Sequence, residues 1–290
     1  PEIMETAGID ENKLPEPHSS LDVIGKVASK VADEVGLKPG TPVVIGSGDG
    51  ASATVGAGVV EKGSAYNYIG SSSWIALASE KPYIDPERKT FNWIHMDPEM
   101  YIPCGTMQSA GASYSWLKEK LCLIEQEMAD QTDHSPYDIM NLSVEKSEPT
   151  ANNLIFLPYL MGERSPHWNP DAKGAFVGLT LKHNRHDMIR AVMEGVTFNL
   201  KIISDIFENF LEFDEIRVIG GGARGRIWRK IMADIYNKKV LKPKILEEAT
   251  SLGAAVAGGI GVGIFDSFDI VKDLNPIQET QIPDTENSEK

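Results

Sequence analysis

The stretch VVIGSGDGASATVGAGVVEKGSAYNYIGSSSW, residues 43–74, decides the fold class. It predicts a buried strand at 42–46, a small-residue helix or turn, and two strands that face each other across Gly70-Ser71-Ser72. Asp49 is the only acid among the Gly, Ser, Ala and Thr residues that directly follow the first strand. Ligand crevices of α/β proteins form where strands end, so Asp49 is a candidate general base. The alternative is that Asp49 caps the helix that follows it.

The rest of the chain alternates strand-like and helix-like segments, which is typical of an α/β protein. Apolar spacing predicts helices at 19–36 and 109–121, and one long helix from about 184 to 210. The small residues of EEATSLGAAVAGGIGVGIF (247–265) predict a helix whose backbone a neighbour approaches closely. Polar residues predict a mobile surface excursion at 123–152 and a loose tail from Asp273 onward.

Composition excludes several classes of function. The net charge of −14 argues against binding to nucleic acids and to anionic membranes. Cys104 and Cys122 form neither a disulfide framework nor a metal-type pair, and the histidines are scattered, so we expect reduced thiols and no metal ligands. The longest weakly polar run, residues 251–265, is too short and too rich in glycine to cross a bilayer. We therefore expect a cytoplasmic enzyme that acts on small molecules.

Two glycine-rich turns are candidate phosphate or nucleotide sites. In YIGSSSWI, the amides and hydroxyls of Ser71 and Ser72 would make a nest for phosphate oxygens, although an ordinary hairpin turn has the same composition. GGGARG (220–225) fits a dinucleotide fingerprint, but the strand after it ends in lysines rather than in the acid that holds a ribose. The sequence contains no Walker-type phosphate loop, so phosphoryl transfer would depend on several separate turns. Glu163 and Arg164 either bind a ligand or hold their loop in shape.

Five segments, in order, resemble the FGGY carbohydrate kinases. They are VVIGSGDGASATVGAGVVEKG, YIGSSSW, CGTMQSAGASYSWLKEKL, YLMGERSPHWNPDAKGAFVGLTLKHNRHDMIRAVMEGVTFNL and IRVIGGGARGRIWRKIMADI. The resemblance extends over about residues 1–270, and within the family it is greatest to the xylulokinases. It implies an actin-like (ribonuclease H-like) ATPase fold in which sugar and ATP bind between two domains. This chain would then comprise the end of the first, sugar-binding domain (1–62), a complete ATP-binding domain (63–272) and a polar tail (273–290).

The resemblance also implies a reaction and a set of site residues. The reaction is phosphorylation of a sugar hydroxyl by ATP with Mg²⁺, with D-xylulose as the expected sugar and Asp49 as the base. Gly70, Ser71 and Ser72 would contact the ATP phosphates, and Gly111 would contact the nucleotide. The adenosine part of the nucleotide would contact Gly221, Gly222 and Arg226, although Arg226 departs from the usual residue at its position. The same comparison identifies no metal ligand in this chain.

The family's first phosphate hairpin, its magnesium-associated acid and most of its sugar contacts would lie upstream of residue 1. We therefore expect that the chain is a fragment and is inactive alone. Alternatives within the family are a gluconate, ribulose or glycerol kinase. Outside that reaction, the chain could be a non-catalytic actin-like nucleotide switch or an NAD-binding module. A homodimer is a further expectation, because dimers are common in the family.

Overall fold

A computed structural model describes residues 2–290. The strands are β1 (Val23–Lys26), β2 (Pro42–Val44), β3 (Ala65–Ile69), β4 (Ser73–Leu77), β5 (Phe91–Ile94), β6 (Tyr101–Met107), β7 (Ile155–Leu157), β8 (Ala175–Val177), β9 (Glu215–Ile219), β10 (Lys239–Pro243) and β11 (Ile277–Gln281). The α-helices are α1 (Glu2–Ala7), α2 (Ser29–Val35), α3 (Asp49–Gly56), α4 (Gly111–Leu121), α5 (Leu123–Asp130), α6 (Pro136–Val144), α7 (Arg185–Glu208), α8 (Arg226–Tyr236), α9 (Ala249–Gly261), α10 (Ile270–Leu274) and α11 (Thr285–Ser288).

A seven-stranded mixed sheet, in the order β11-β10-β9-β3-β4-β6-β5, forms the centre of the fold. β3 and β4 pair antiparallel from Ala65↔Leu77 to Ile69↔Ser73, which confirms the predicted hairpin around Gly70-Ser71-Ser72. β9 runs parallel to both β3 and β10. Because parallel strands end at the same edge of a sheet, the hairpin turn and the glycine-rich turn after β9 emerge side by side. The expected α/β class is confirmed.

Helices cover both faces of this sheet. One face packs against a core that includes residues of α4, α6, α7 and α8, and the other packs against α3 and α9. The predicted long helix is confirmed as α7, and Asn184 begins it by accepting hydrogen bonds from the amides of His186 and Asp187. The predicted helix at 109–121 is confirmed as α4. Together these layers fix the edge of the sheet at which the candidate site lies.

The prediction of a close neighbour for the small-residue helix is also confirmed, because α9 packs directly on α3. A Cβ atom on Gly56 would lie 1.7 Å from the carbonyl oxygen of Ala249, and one on Gly253 would lie 1.9 Å from that of Ser52. Only a hydrogen fits between the two backbones at these points. Gly56 of α3 and Gly253 of α9 therefore allow the two helices, and with them Asp49 at the start of α3, to pack backbone against backbone.

The prediction for residues 19–46 is wrong in two respects. In place of a helix at 19–36 there is β1 followed by the short helix α2, because the turn at 38–41 returns the chain so that β2 pairs antiparallel with β1. The strand expected to be buried at 42–46 is exposed: β1 and β2 pair only with each other, and Val23, Ile24 and Val43 are 45 %, 52 % and 40 % exposed. An apolar two-stranded ribbon of this kind needs a further layer to be stable.

Two segments expected to be mobile are ordered. Residues 123–152 contain α5 and α6, and α6 begins with a capping box at Ser135 and buries Ile139, Met140 and Val144. The polar tail from Asp273 contains β11, which pairs with β10 at the edge of the sheet. The polarity of both segments was misleading, because a few of their charged residues make structural contacts: Glu125 pairs with Arg185, Asp138 closes the capping box and Glu279 pairs with Arg229.

None of the helices within residues 2–290 has the length and apolar character needed to cross a bilayer.

Candidate active site

Asp49 is the first residue of α3 and is exposed. The N-cap position belongs to Gly48, which has no side chain, and Oδ1 of Asp49 accepts a hydrogen bond only from the amide of the next residue, at 2.8 Å. No hydrogen bond from a described residue reaches Oδ2. Asp49 therefore makes one hydrogen bond to a free amide of the first turn of α3, although it is not the N-cap residue, and its other carboxylate oxygen is available to a ligand.

The start of α3 is fixed by hydrogen bonds to the sheet beneath it. The carbonyl oxygen of Gly50 accepts from Oγ1 of Thr54 at 2.8 Å and from the hydroxyl of Tyr66 at 3.2 Å. Nε1 of Trp74 in turn donates to the hydroxyl of Tyr66 at 2.7 Å. Burial raises the pKa of Tyr66 well above its usual range, so this phenol stays neutral and keeps its donor. The carboxylate is thus presented from a rigid backbone.

A row of aromatic rings connects the start of α3 to the β3–β4 hairpin. The ring of Trp93 lies where a Cβ on Gly50 would be, 2.5 Å away, and meets Trp74 edge to face with centroids 5.9 Å apart. Trp74 stacks on Tyr68 at 4.1 Å, and the Tyr68 ring fills the space that a Cβ on Gly70 would need. We name Tyr68, Trp74 and Trp93 the aromatic row; it brings Asp49 and the hairpin turn to one surface.

Sequence reasoning missed the aromatic row. A signal was present, since Tyr68 and Trp74 are cross-strand partners in the predicted hairpin and so share a face. The third ring, Trp93, comes from β5, which is two strands away from β4 in the sheet. That neighbourhood depends on the strand order, which the local pattern does not contain.

The hairpin turn rests on the start of α4. The amide of Gly70 donates to the carbonyl of Ser72 at 3.0 Å. The carbonyls of Gly70 and Ser71 accept hydrogen bonds from the amides of Ala110, Gly111 and Ala112 at 2.9–3.0 Å. The amides of Ser71 and Ser72 have no hydrogen-bond partner among residues 2–290, and the side chain of Ser71 is exposed. This turn therefore offers two free donors, which suits an anion.

Gly111 lies at the contact between this turn and α4. A Cβ there would be 2.4 Å from the carbonyl oxygen of Gly70, so the position excludes every other residue type. Its amide is already bonded to that same oxygen at 2.9 Å. The structure thus gives Gly111 a packing role, whether or not a nucleotide also touches it.

The glycine-rich turn after β9 lies against the end of β3. Gly220 has φ +86°, and a Cβ there would be 2.6 Å from the carbonyl oxygen of Ile69. At Gly222 a Cβ would be 2.3 Å from Cγ2 of the same isoleucine. Gly221 is exposed, and the nearest atom to a Cβ there would be Oε1 of Glu247, at 3.5 Å. The turn is therefore packed on one side and open at Gly221 on the other.

Helix α6 completes the wall beside this turn. A Cβ on Gly225 would be 3.2 Å from Nδ2 of Asn141, and the hydroxyl of Tyr114 donates to Oδ1 of the same asparagine at 3.1 Å. Oγ of Ser115 and the hydroxyl of Tyr137 are 2.9 Å apart. Arg226 is the first residue of α8 and is exposed. Sequence reasoning missed Tyr137 and Asn141 because they lie in the segment that was expected to be mobile.

Glu163 holds its loop in shape, one of the two roles left open by the sequence. Its Oε1 accepts hydrogen bonds from the amides of Gln108 and Arg164 at 2.7 and 2.8 Å, and its Oε2 accepts from Nδ2 of Asn199 at 3.2 Å. Burial raises the pKa of this carboxyl, against the lowering effect of the two amides. Arg164 is exposed.

Metal binding was not expected from side chains, and residues 2–290 contain no group of three or more His, Cys, Asp or Glu residues arranged to hold a metal ion. The buried His95 has another role: its Nε2 lies 3.1 Å from the carbonyl oxygen of Val59, and its Nδ1 accepts from the amide of Asp97 at 2.9 Å. Burial lowers its pKa, so it is neutral and structural.

Comparison with known proteins defines the class. Residues 65–262 match the C-terminal domain of the FGGY family of carbohydrate kinases, and residues 1–56 match its N-terminal domain. The chain therefore belongs to the FGGY family. The expected actin-like fold is shown by solved structures of this family, among them a ligand-bound xylulose kinase from Lactobacillus acidophilus. That structure has a TM-score of 0.89 and 25 % identity, over 99 % of this chain and 56 % of that one.

Individual relatives differ in their sugar. The chain is 33 % identical to a gluconokinase of Bacillus subtilis over 94 % of its own length and 53 % of the relative. It is 34 % identical to a xylulose kinase of Staphylococcus epidermidis, over 92 % of this chain and 52 % of that relative. A Plasmodium falciparum glycerol kinase with ADP matches all of the chain and 56 % of that structure, with a TM-score of 0.82 and 25 % identity. The chain thus spans about half the length of the relatives it matches.

Proposed function

We propose that this chain is the ATP-binding side, with the catalytic base, of a kinase that phosphorylates a sugar hydroxyl. One observation carries the proposal: Asp49, with a free carboxylate oxygen, and the Ser71–Ser72 turn, with two free amides, lie at opposite ends of one aromatic row. A base and a phosphate-binding turn on one rigid surface are what in-line phosphoryl transfer requires. Membership in a family of carbohydrate kinases supports the same reaction.

In the proposed reaction Asp49 accepts the proton of the sugar hydroxyl while the hydroxyl oxygen attacks the γ-phosphorus of ATP. The bond between that phosphorus and the β,γ-bridging oxygen breaks, and ADP leaves. The amides and hydroxyls of Ser71 and Ser72 donate hydrogen bonds to the phosphate oxygens, and Gly70, whose missing Cβ leaves room for the ring of Tyr68, lies beside them in the same turn. Preorganised donors of this kind stabilise the charge of the transition state.

The adenosine would lie against the glycine-rich turn. Gly221 is open to solvent there, Gly222 keeps the backbone bare, and Arg226 stands at the start of the next helix. Gly111 supports the turn that holds the phosphates. Mg²⁺, bound together with ATP, would neutralise part of the phosphate charge.

For the sugar we propose D-xylulose, converted to D-xylulose 5-phosphate. The support is the resemblance of the five segments and the relatives named xylulose kinase. Gluconate is the second candidate, since another relative is a gluconokinase. Ribulose and glycerol complete the range. Both cysteines are buried free thiols, which fits a reducing cytoplasm as the place of the reaction.

We further propose that residues outside these 290 complete the sugar site. The exposed apolar ribbon of β1 and β2 would be covered by the other strands of a first domain, whose family match here extends only over residues 1–56. Phosphoryl transfer needs both sides of the cleft. We therefore expect the 290-residue chain alone to turn over ATP at no more than a background rate with any sugar.

The test is ADP release by the protein that contains this chain, with ATP and Mg²⁺, in the presence of D-xylulose, D-gluconate, D-ribulose or glycerol. A preference for D-xylulose supports the whole proposal, and a preference for another of the four changes only the substrate. No stimulation by any of them contradicts the kinase and favours a nucleotide switch, which would bind a partner in a nucleotide-dependent way. A titration with NADH is expected to show no binding.

A further inference from the structure

A buried arginine supports the glycine-rich turn from below. Arg229 lies on α8 and is 1 % exposed. Its Nη1 donates hydrogen bonds to the carbonyl oxygens of Ala223 and Arg224 at 2.7 and 2.8 Å. Both carbonyls belong to the turn between Gly220 and Gly225. One guanidinium nitrogen therefore fixes two successive peptide groups of the proposed nucleotide turn.

The charge of this arginine is matched from the last strand of the sheet. Nη2 of Arg229 donates to Oε2 of Glu279, which is on β11. The other oxygen of Glu279 accepts from Nζ of Lys242, on β10, at 2.6 Å. An unpaired charge at the depth of Arg229 would be costly, so the ion pair is what allows the arginine to stay charged there. β11 lies at the edge of the sheet, yet it reaches the nucleotide turn through this pair.

We infer that Arg229 is a positioning residue for nucleotide binding, and that β11 acts on the turn through Glu279. This inference rests on the proposed function, because it assumes that the turn binds the adenosine side of ATP. Arginine is required at this position because its planar group donates to two carbonyls and a carboxylate at once. A lysine at the same place would keep the charge but lose the fork, and the turn would gain freedom that binding must then remove.

The chain offers a matched control on α7. Arg190 is also buried; its Nε donates to Oε1 of Glu194 at 2.7 Å and its Nη1 to the carbonyl of Ser147 at 2.9 Å. The two arginines thus share burial, an ion pair to glutamate and a bond to a backbone carbonyl. They differ in that Arg190 makes no hydrogen bond to the glycine-rich turn. Arg190→Lys therefore measures the cost of disturbing a buried pair, without the effect on the turn.

The experiment is calorimetric titration of ATP and ADP into the wild-type protein that contains this chain and into its Arg229→Lys, Glu279→Gln and Arg190→Lys variants, with thermal unfolding of each. We expect Kd for both nucleotides to rise about tenfold in Arg229→Lys, the equivalent of one to two lost hydrogen bonds. In Glu279→Gln the rise should be about threefold, because the carbonyl contacts remain. Arg190→Lys should lower the unfolding temperature and leave Kd unchanged. In the active protein, KM for ATP should rise in Arg229→Lys while KM for the sugar stays constant.

The outcomes separate the two proposals. If the wild-type protein that contains this chain binds neither ATP nor ADP, the proposed function fails and this inference fails with it. If the wild-type protein binds nucleotide and folded Arg229→Lys binds it equally well, the function stands and the positioning role is contradicted. An equal rise of Kd in Arg190→Lys also contradicts it, since general destabilisation would then explain the effect. If Arg229→Lys does not fold, Glu279→Gln takes its place: an unchanged Kd in that variant, or an equal rise in Arg190→Lys, contradicts the positioning role.

Discussion

Two glycine-rich segments of this molecule look alike in sequence and differ in structure. Around Asp49, a Cβ on Gly46 or Gly48 would meet no atom within 4 Å. In the turn after β9, a Cβ on Gly220 or Gly222 would lie only 2.6 or 2.3 Å from atoms of Ile69. The first segment leaves space open in front of a carboxylate, and the second uses glycine to bring two turns together. Glycine content alone does not distinguish a ligand site from a packing contact.

This difference assigns separate duties to the two segments. In the proposed function, the open segment would leave space for the reacting hydroxyl beside Asp49, whereas the packed segment would set the shape of the turn that we propose to bind the nucleotide. The aromatic row lies between Gly50 and Gly70, two further glycines whose missing Cβ atoms make room for rings. Substitutions at the open segment should therefore alter turnover more than stability, and substitutions at packed glycines should do the reverse.

The largest effect is expected at Asp49. Asp49→Asn keeps the shape of the side chain but removes the base, so sugar-dependent ADP release should fall by a factor of about 10²–10⁴. The Kd for ATP and the unfolding temperature should change little, because the carboxylate makes only one hydrogen bond, to its own neighbour. Steady-state kinetics and titration of the same preparation measure both. Parallel loss of binding and turnover would show that Asp49 has a structural role instead.

A large effect on folding is expected at Gly56. A Cβ there would lie 1.7 Å from the carbonyl oxygen of Ala249, so Gly56→Ala must separate α3 from α9 and should cost about 3 kcal/mol or prevent folding. Gly258→Ala is the control within α9, since a Cβ there meets nothing within 4 Å. It should stabilise the protein by about 0.5–1 kcal/mol. Urea unfolding measures both, and similar stabilities for the two variants would refute the close helix contact.

A smaller effect distinguishes the two glycine-rich segments directly. Gly222→Ala should cost about 1–3 kcal/mol, because the new methyl group must displace the side chain of Ile69. Gly48→Ala has open space and φ −67°, so it should change stability by less than about 1 kcal/mol. Equal effects of both substitutions on the free energy of unfolding would contradict the difference between the open segment at Gly48 and the packed turn at Gly222.

The smallest effect concerns pH. Burial raises the pKa of Glu163, so the folded state holds its proton to a higher pH than the unfolded state does. The contribution of Glu163 to the free energy of unfolding therefore falls as the pH rises from the ordinary pKa of a glutamate through the raised pKa of this residue. Glu163→Gln removes that dependence while an amide oxygen can still accept from Gln108 and Arg164. The difference in unfolding free energy between the two proteins should change from pH 4 to pH 7; a constant difference would contradict the raised pKa.

Local signals in the sequence predicted part of the fold. The β3–β4 hairpin has two short strand-like runs around a Gly-Ser turn, and α7 has both an apolar face and the capping box at Asn184, so each could be recognised from neighbouring residues alone. The ribbon was predicted wrongly in two ways: the residues of β1 were assigned to a helix, and β2 was expected to be buried because its apolar residues resemble those of a buried strand. Their exposure depends on what else covers them, and a local pattern does not carry that information.

The site was predictable in its parts but not in its arrangement. Asp49 and Ser71 could be singled out from their glycine-rich surroundings, and Gly221 from the resemblance to the family. The packing roles of Gly111 and Gly222 depend on contacts with residues 70 and 69, far away in the sequence. Arg229 and Glu279 are separated by 50 residues and looked like ordinary charges of a helix and a tail. Such pairs are recognisable only when the order of strands in the sheet is known.

The most direct test of the central claim is a crystal structure of the protein with a non-hydrolysable ATP analogue and Mg²⁺. The account predicts phosphates against the amides of Ser71 and Ser72, adenosine against Gly221 and Gly222, and the γ-phosphate on the side that faces Asp49. Phosphates bound instead by the glycine-rich turn after β9, with the hairpin amides free, would contradict it.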